Sequence, residues 1–251
     1  MPINPIISTQ NVSVTLGKHK VLESVTFEIE TGEYVGIVGP NGGGKSTLLK
    51  AILGLLPLSQ GEIYVNGNRA NKTAAKKHVG YVPQYFSNNL FFFPMSVEEV
   101  VATGRVGLKI FGGLNKEDHE AIDEALKTVS AQSLKHRLFG DLSGGQRQRI
   151  AIARAMAGDP EILLLDEPLS AVDLPSQKHF YEILSRLNKK RKLTVIMATH
   201  DLEMVAVEAS RVLCLNQRLH ASCHPEDVVP QQWLETFGEN FKPVHHQKHH
   251  V

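Results

Sequence analysis

The pattern of apolar residues predicts strands towards both ends of the chain and helices between them. Apolar residues alternate with polar ones at Val25, Phe27 and Ile29. Three short runs are almost wholly apolar: 34–38, 162–165 and 193–198. Such runs are typical of strands that are buried on both faces of a parallel sheet. Between Gln84 and Leu142 the pattern turns helical, so the sequence predicts an α/β protein with an inserted helical segment.

A glycine-rich stretch directly after the first apolar run indicates a phosphate site. Residues 39–47 fit the pattern G-x-x-x-x-G-K-[ST] at every fixed position. In such a loop the backbone N–H groups turn inward to meet phosphate oxygens, Lys45 places its charge on the outer phosphates, and Ser46 offers its hydroxyl to Mg2+. A glycine-rich turn with a chance lysine does not explain this register. We predict that a nucleoside triphosphate contacts Gly39, Pro40, Asn41, Gly42, Gly43, Gly44, Lys45, Ser46 and Thr47.

A second glycine motif lies about a hundred residues downstream, at Leu142 to Gln146. Ser143 is a typical N-cap, and Gly144 and Gly145 leave bare amides at the start of a predicted helix. Taken alone, the motif could be an ordinary helix cap that happens to contain two glycines. In a chain whose phosphates already have a loop, it predicts a second anion site that serves a ligand held by another molecule.

Polar residues follow two of the predicted buried strands. Asp166 and Glu167 end one of them, where open α/β sheets place their ligands. We predict that Asp166 holds Mg2+, directly or through water, and that Glu167 polarises the attacking water as general base. His200 follows the other strand; alone it would more often be structural, but beside this loop we interpret it as catalytic.

Together these motifs resemble the nucleotide-binding subunit of ABC transporters. The resemblance covers about Val12 to Leu215, with the motifs in the family's order: 39–47, Gln84, 142–146, 166–167, 170–173 and His200. It implies an α/β P-loop fold with a RecA-like core, an antiparallel β subdomain and an inserted helical subdomain. We place a single ATPase domain at 1–225, with the core at 1–84 and 160–225, the helical subdomain at 85–159, and a C-terminal extension at 226–251.

The resemblance also implies a cofactor, partners and further roles. The cofactor is Mg2+, bound with ATP, and the protein is expected to form a head-to-tail dimer in which Ser143, Gly144, Gly145 and Gln146 of one copy close over the γ-phosphate held by the other. His200 would contact that phosphate, Gln84 would sense Mg2+ and the membrane partner, and Asp173 would help to join the facing sites. One position departs from the family: Leu16 stands where an aromatic residue usually stacks on adenine, which predicts weaker adenine binding.

Composition limits the remaining possibilities. The 251 residues carry 27 Lys and Arg against 26 Asp and Glu, a formal charge of +1 that gives no electrostatic case for nucleic acid. No stretch approaches the roughly 20 apolar residues of a spanning helix, and the first residues do not have the pattern of a secretory signal. Two cysteines fit reduced thiols in the cytosol. These features predict a chain that does not itself cross the membrane, and the resemblance then implies a peripheral protein on the cytoplasmic face of the bacterial inner membrane.

Two segments bear on the partners and the cargo. The run 90–95, with three consecutive Phe residues, is either an exposed patch that docks the permease subunits or part of the subdomain core. Four His residues lie in the last seven positions, a spacing that fits no closed zinc site but allows loose metal binding. The alternative is a disordered tail or one left by expression.

The segments 97–112, 212–216 and 236–238 resemble the zinc and manganese importer branch of the family, and within it bacterial zinc-uptake ATPases. We therefore predict an ATP-hydrolysing subunit that powers import of a divalent metal ion, zinc in the first instance, with a periplasmic or surface metal-binding protein as an indirect partner. The alternatives are a manganese or iron importer ATPase, a soluble ABC-type ATPase that is not coupled to transport, and a metal-storage or delivery protein based on the tail.

Overall fold

The computed structural model describes residues 5–84, 86, 94–106, 113–169, 172–200 and 208–227. Its centre is a six-stranded sheet in the order β10-β9-β3-β8-β7-β6. The strands are β3 (Tyr34–Val38), β6 (Val79–Val82), β7 (Ile162–Asp166), β8 (Thr194–Thr199), β9 (Arg211–Asn216) and β10 (Arg218–Cys223). Strands β3, β6, β7, β8 and β9 run parallel to one another, and β10 pairs antiparallel with β9.

A second sheet of four antiparallel strands lies at the N-terminal side, in the order β2-β1-β4-β5. Its strands are β1 (Ile7–Leu16), β2 (His19–Ile29), β4 (Gln60–Val65) and β5 (Asn68–Arg69). The predicted alternation holds, because Val25, Phe27 and Ile29 are all buried while the residues between them are exposed.

Six α-helices are described: α1 (Lys45–Ile52), α2 (Lys72–His78), α3 (Val97–Val106), α4 (Lys116–Thr128), α5 (Gly144–Met156) and α6 (Leu174–Arg191). Of these, α3, α4 and α5 pack on one another. Helices α3 and α4 fall in the stretch 84–142 whose spacing predicted helices, and α5 begins at the second glycine motif. Ser96 caps α3, since Glu99 N–H donates to Ser96 Oγ at 3.2 Å and Ser96 N–H donates to Glu99 Oε2 at 2.7 Å.

The central sheet separates two apolar cores. Side chains alternate across β7, so Leu163 and Leu165 pack towards α3 to α6, while Ile162 and Leu164 pack towards α1 and the antiparallel sheet. Burial on both faces explains why this strand is a continuous apolar run. It also holds the strand ends rigidly at one edge of the sheet.

That edge brings the polar motifs together. In the parallel register Val38 pairs with Thr199, Asp166 with Ala198, and Val82 with Leu165. The residues that follow these strands, namely Gly39, Glu167, Gln84 and His200, therefore emerge at the same carboxyl edge. The observed α/β fold with a phosphate loop, an antiparallel sheet and packed helices confirms the predicted fold class.

The subdomain boundaries at 84/85 and 159/160 stay a prediction. Several predicted features lie outside the described residues: most of the Phe-rich run at 90–95, Ser170 and Ala171, and the His-rich tail after 227. Within the described ranges, no helix is both long and apolar enough to span a bilayer.

Candidate active site

The phosphate loop connects β3 to α1. Gly42 and Gly44 have φ angles of 80° and 98°, a left-handed conformation that other residues adopt only at a cost. At Gly44 a side chain is also excluded by space, because its Cβ would lie 2.6 Å from Leu22 Cδ2. Gly44 N-caps α1, so the loop delivers the chain directly to a helix N-terminus. This is the geometry that the motif predicts for an anion site.

Lys45 is the charged centre of the loop and is only 4% exposed. Its Nζ donates to the carbonyl oxygens of Gly39 at 2.8 Å and Pro40 at 3.1 Å. The same atom lies 3.2 Å from Glu167 Oε1. The ammonium is thus held against the loop by backbone carbonyls and is paired with the carboxylate that the sequence analysis named as general base.

Asp166 is the last residue of β7 and is buried. Its Oδ1 accepts a hydrogen bond from Ser46 Oγ at 2.7 Å, and its Oδ2 accepts one from Tyr81 OH at 3.3 Å. Burial and the adjacent carboxylate raise the pKa of the Tyr81 hydroxyl well above its usual value, so it stays protonated and acts as donor. Asp166 therefore joins the loop, β6 and β7 at one point.

Glu167 lies just past the strand in a left-handed conformation, with φ of 43°, and its N–H donates to Ala198 O at 2.9 Å. A non-glycine residue in this conformation is uncommon and often marks a functional site. Its Oε2 accepts from Gln84 Nε2 at 3.3 Å and lies 3.5 Å from His200 Nδ1. One carboxylate thus meets Lys45, Gln84 and His200, so the structure brings these predicted residues together.

The donor set at this point fits Mg2+. Ser46 Oγ and the Asp166 carboxylate are already within hydrogen-bonding distance, and Gln84, whose amide nitrogen donates to Glu167, lines the same cavity as Ser46. Hydroxyl, carboxylate and amide oxygens are the ligands this ion prefers, with water and phosphate completing the shell. Among the residues that the structure describes, no group of three His, Cys, Asp or Glu side chains forms a separate metal site.

A cavity of about 540 Å3 opens over the loop. It is lined by Val21, Asn41, Gly42, Gly44, Lys45, Ser46, Thr47, Gln84 and Glu167. Val21 forms the apolar part of this wall. It was not predicted as a site residue, because only the buried residues of its strand formed a pattern in the sequence. Leu16, 42% exposed, stands opposite His19 at the end of the β1-β2 hairpin. The assignment of Leu16 to the adenine side stays a prediction.

The start of α5 carries the second glycine motif. Ser143 Oγ accepts from Gln146 N–H at 3.3 Å, and Gln146 Oε1 accepts from Ser143 N–H at 2.9 Å. This reciprocal capping box confirms Ser143 as N-cap. At Gly145 a Cβ would lie 2.5 Å from Ser176 Oγ, so the glycine is required by the close approach of α6.

The start of α6 lies beside it. Asp173 caps α6, since its Oδ1 accepts from Ser176 N–H at 3.0 Å. That bond lowers the pKa of the Asp173 carboxyl. A second cavity, of about 300 Å3, lies between the two helix starts and is lined by Ser143, Gly145, Gln146, Arg149, Pro175, Ser176 and His179. The role of Ser176 was not predicted, because contact between two distant helix starts has no local sequence signal.

The comparison with protein families decides the class. Residues 22–170 match the model of the family described as ABC transporter. The chain belongs to the ABC transporter family. As a cassette of this family it is an ABC-type ATP hydrolase, which agrees with the phosphate loop and carboxylates described above.

Relatives within the ABC transporter family include metal transport proteins. The chain is 43% identical over 218 residues to the zinc uptake system ATP-binding protein ZurA of Listeria innocua, covering 86% of this chain and 85% of that protein. It is 36% identical over 240 residues to the manganese transport system ATP-binding protein MntB of Halalkalibacterium halodurans, covering 95% and 94%.

Solved structures share the fold. An inward-facing putative metal-chelate type ABC transporter superposes with a TM-score of 0.82 at 31% identity, over 93% of this chain and 88% of that chain. A dimeric ATP-binding cassette in a post-hydrolysis state, bound to ADP and Pi, superposes with a TM-score of 0.74 at 29% identity, over 87% and 98%.

Proposed function

We propose that this chain hydrolyses ATP to drive import of a divalent metal ion, zinc in the first instance, through a membrane permease. The observation that carries the ATPase part is the network at the sheet edge, in which Lys45 and Glu167 are paired 3.2 Å apart and Ser46 and Asp166 are bonded at 2.7 Å. The assignment of the cargo rests on the relatives and not on any ion contact within the described part of this chain.

The residues of the network divide the chemistry. When ATP binds, Lys45 moves from Glu167 to the outer phosphates. The Glu167 carboxylate then lies next to the water that attacks the γ-phosphorus. Glu167 accepts a proton from that water as the new P–O bond forms and ADP leaves. His200, which contacts the same carboxylate, donates to a γ-phosphate oxygen. Ser46, Asp166 and Gln84 would hold Mg2+, which would neutralise charge on the phosphates.

The glycine motif at α5 acts on the nucleotide that a second copy of the chain binds. Ser143, Gly145 and Gln146 line the cavity between α5 and α6, whereas the loop lies at the edge of the central sheet. We propose that Ser143 to Gln146 of one copy contact the γ-phosphate held by the other, and that Asp173 lies between the facing sites. The dimeric relative bound to ADP and Pi supports this arrangement.

We propose that the permease binds in a groove of about 380 Å3. It lies between the core and the helical segment, and its wall includes Leu55 and Tyr81 on one side and Thr103 and Arg154 on the other. Arg154 is anchored by a bond from its Nε to Thr103 Oγ1 at 2.8 Å and by its position 5.2 Å from the Phe86 ring centroid. Because residues of both regions line the groove, closure of the domain would also move a permease bound there.

This assembly places the chain on the cytoplasmic face of the bacterial inner membrane, with a periplasmic or surface metal-binding protein as an indirect partner. Manganese is the alternative cargo, favoured by the 36% identity to MntB over 95% of the chain. Because the ion would pass through the permease, both alternatives share the same ATPase site.

Glu167→Gln tests the ATPase mechanism. It keeps the shape but removes the base, so Mg·ATP binding should persist while turnover falls on the order of 100-fold or more. We expect the bound variant to run as a dimer in light scattering, with the exposed Glu120→Gln as control. Rapid hydrolysis by the variant removes Glu167 from this role, and a monomer at saturating Mg·ATP counts against the shared site.

The cargo needs the whole transporter. The chain, co-purified with its permease, is reconstituted in vesicles, and ATP turnover is measured with zinc or manganese supplied together with the metal-binding protein. Stimulation by zinc alone supports the zinc assignment. Stimulation by manganese alone transfers the proposal to the alternative cargo.

A further inference from the structure

The turn between β9 and β10 packs directly on the phosphate loop. A Cβ at Gly39 would lie 1.9 Å from Leu215 O, and one at Gly43 would lie 3.0 Å from the same oxygen. Neither glycine has a positive φ angle, in contrast to Gly42 and Gly44. Gly39 is therefore required by the approach of the end of β9, and Gly43 is crowded both by this strand end and by Pro40 O, at 3.0 Å.

Gln217 bonds to the loop through its backbone. Its N–H donates to Gly43 O at 2.9 Å, and its own carbonyl accepts from Glu23 N–H at 2.8 Å. Glu23 is in turn paired with Arg218, at 2.7 Å. Gln217 thus connects the loop to β2, the strand that contributes Val21 to the cavity.

The bond to Gly43 orients the next amide. In a trans peptide the C=O of one residue and the N–H of the next point in opposite directions. Because the Gly43 carbonyl points at Gln217, the Gly44 N–H points away from Gln217, and Gly44 lines the cavity over the loop. That amide is among those that a phosphate loop offers to the anion.

We propose that Gln217 is a positioning residue that holds the phosphate loop in its anion-binding form. Its φ of 59° is left-handed, so the contact depends on a conformation that costs a non-glycine residue free energy. A β-branched residue resists this conformation, whereas glycine adopts it freely. The proposal rests on ATP binding at the loop, and it extends that function to a turn outside all of the sequence motifs.

The experiment compares Gln217→Val with Gln217→Gly in the full chain, by titration with Mg·ATP and by thermal unfolding. Valine should raise the Kd by about tenfold, corresponding to the cost of the left-handed conformation, while glycine should leave the Kd within about twofold of the original. Gln217→Thr is a milder substitute if the valine variant does not fold.

Lys192→Val is the matched control. Lys192 has nearly the same angle, 52°, but it lies at the end of α6 and bonds to no part of the loop. It should lower the melting temperature to a similar extent without changing the Kd. Hydrogen exchange adds a second readout, since peptides covering 39–47 should exchange faster in Gln217→Val and not in Lys192→Val.

The outcomes separate the two proposals. If the unaltered chain binds Mg·ATP and Gln217→Val binds it equally well with unchanged exchange in the loop, the positioning role is wrong while the ATPase function stands. If the unaltered chain fails to bind, the proposed function itself fails.

Discussion

The phosphate loop and the start of α5 are both glycine motifs, but they satisfy their polar groups in opposite ways. At the loop, partners come from distant parts of the chain: Ser46 bonds to Asp166, 120 positions later, and Lys45 pairs with Glu167. At α5, Ser143 and Gln146 satisfy each other within three positions. The first site exists only in the folded protein, whereas the second is complete in a single helix turn.

This difference indicates how each site works. The loop holds its charges in mutual pairs, so we propose that ATP binds there by exchanging partners. In the capping box, the exposed Ser143 and the half-buried Gln146 are bonded to each other, and both side chains are uncharged. A site of that kind becomes an anion site only when the anion is brought to it, which is the physical case for a second copy.

Lys45→Ala should give the largest effect and tests the loop side. It removes a charge that would make about two charge-assisted bonds to phosphate, so the Kd for Mg·ATP should rise on the order of 100-fold or more. Lys50→Ala, on the exposed face of the same helix, is the control. Near-normal binding by Lys45→Ala would mean that the pairs at this site are structural and that no exchange occurs.

Ser143→Asp tests the α5 side and should give the next largest effect. Aspartate caps helices as well as serine does, but it adds a negative charge facing the incoming phosphate. Turnover should fall on the order of 100-fold, because like charges about 4 Å apart at a protein surface repel strongly. The Kd of the single chain for Mg·ATP should not change.

Ser143→Asn, which caps without charge, should keep most of the turnover. Equal losses in the aspartate and asparagine variants would show that the cap, and not the phosphate contact, was disturbed. A weaker Kd in Ser143→Asp alone would place the motif next to the loop of its own chain.

The same contrast explains what could be predicted from sequence. The loop before α1, the Ser143 cap and the apolar strands have local signals, and the structure has each of these elements where the sequence predicts it. The contacts of Ser176 with Gly145 and of Gln217 with Gly43 join segments far apart in sequence through shape and backbone direction. Neither depends on a particular side-chain pattern, so no motif reveals them.

Leu16→Tyr sharpens the description of the loop side with a smaller effect. If Leu16 lies against the base, an aromatic ring there should lower the Kd for Mg·ATP by about two- to tenfold. Val21→Ala is the comparison, because Val21 lines the cavity directly. Weaker binding by Val21→Ala with no change for Leu16→Tyr would move the apolar wall of the base site from β1 to β2.

Asp173→Ala should give the smallest effect, on the α5 side. Loss of the α6 cap should lower the melting temperature by roughly 2 to 4 °C. The Ser176 N–H lowers the pKa of this carboxyl, so its stabilisation is present at neutral pH and is lost as pH falls below about 4.

The deficit of Asp173→Ala should therefore shrink on acidification, while the neutral cap in Asp173→Asn should show no such dependence. A melting deficit without a change in turnover would confine Asp173 to capping. A loss of turnover that Asp173→Asn shares, despite intact stability, would instead support a role for the charge between facing copies.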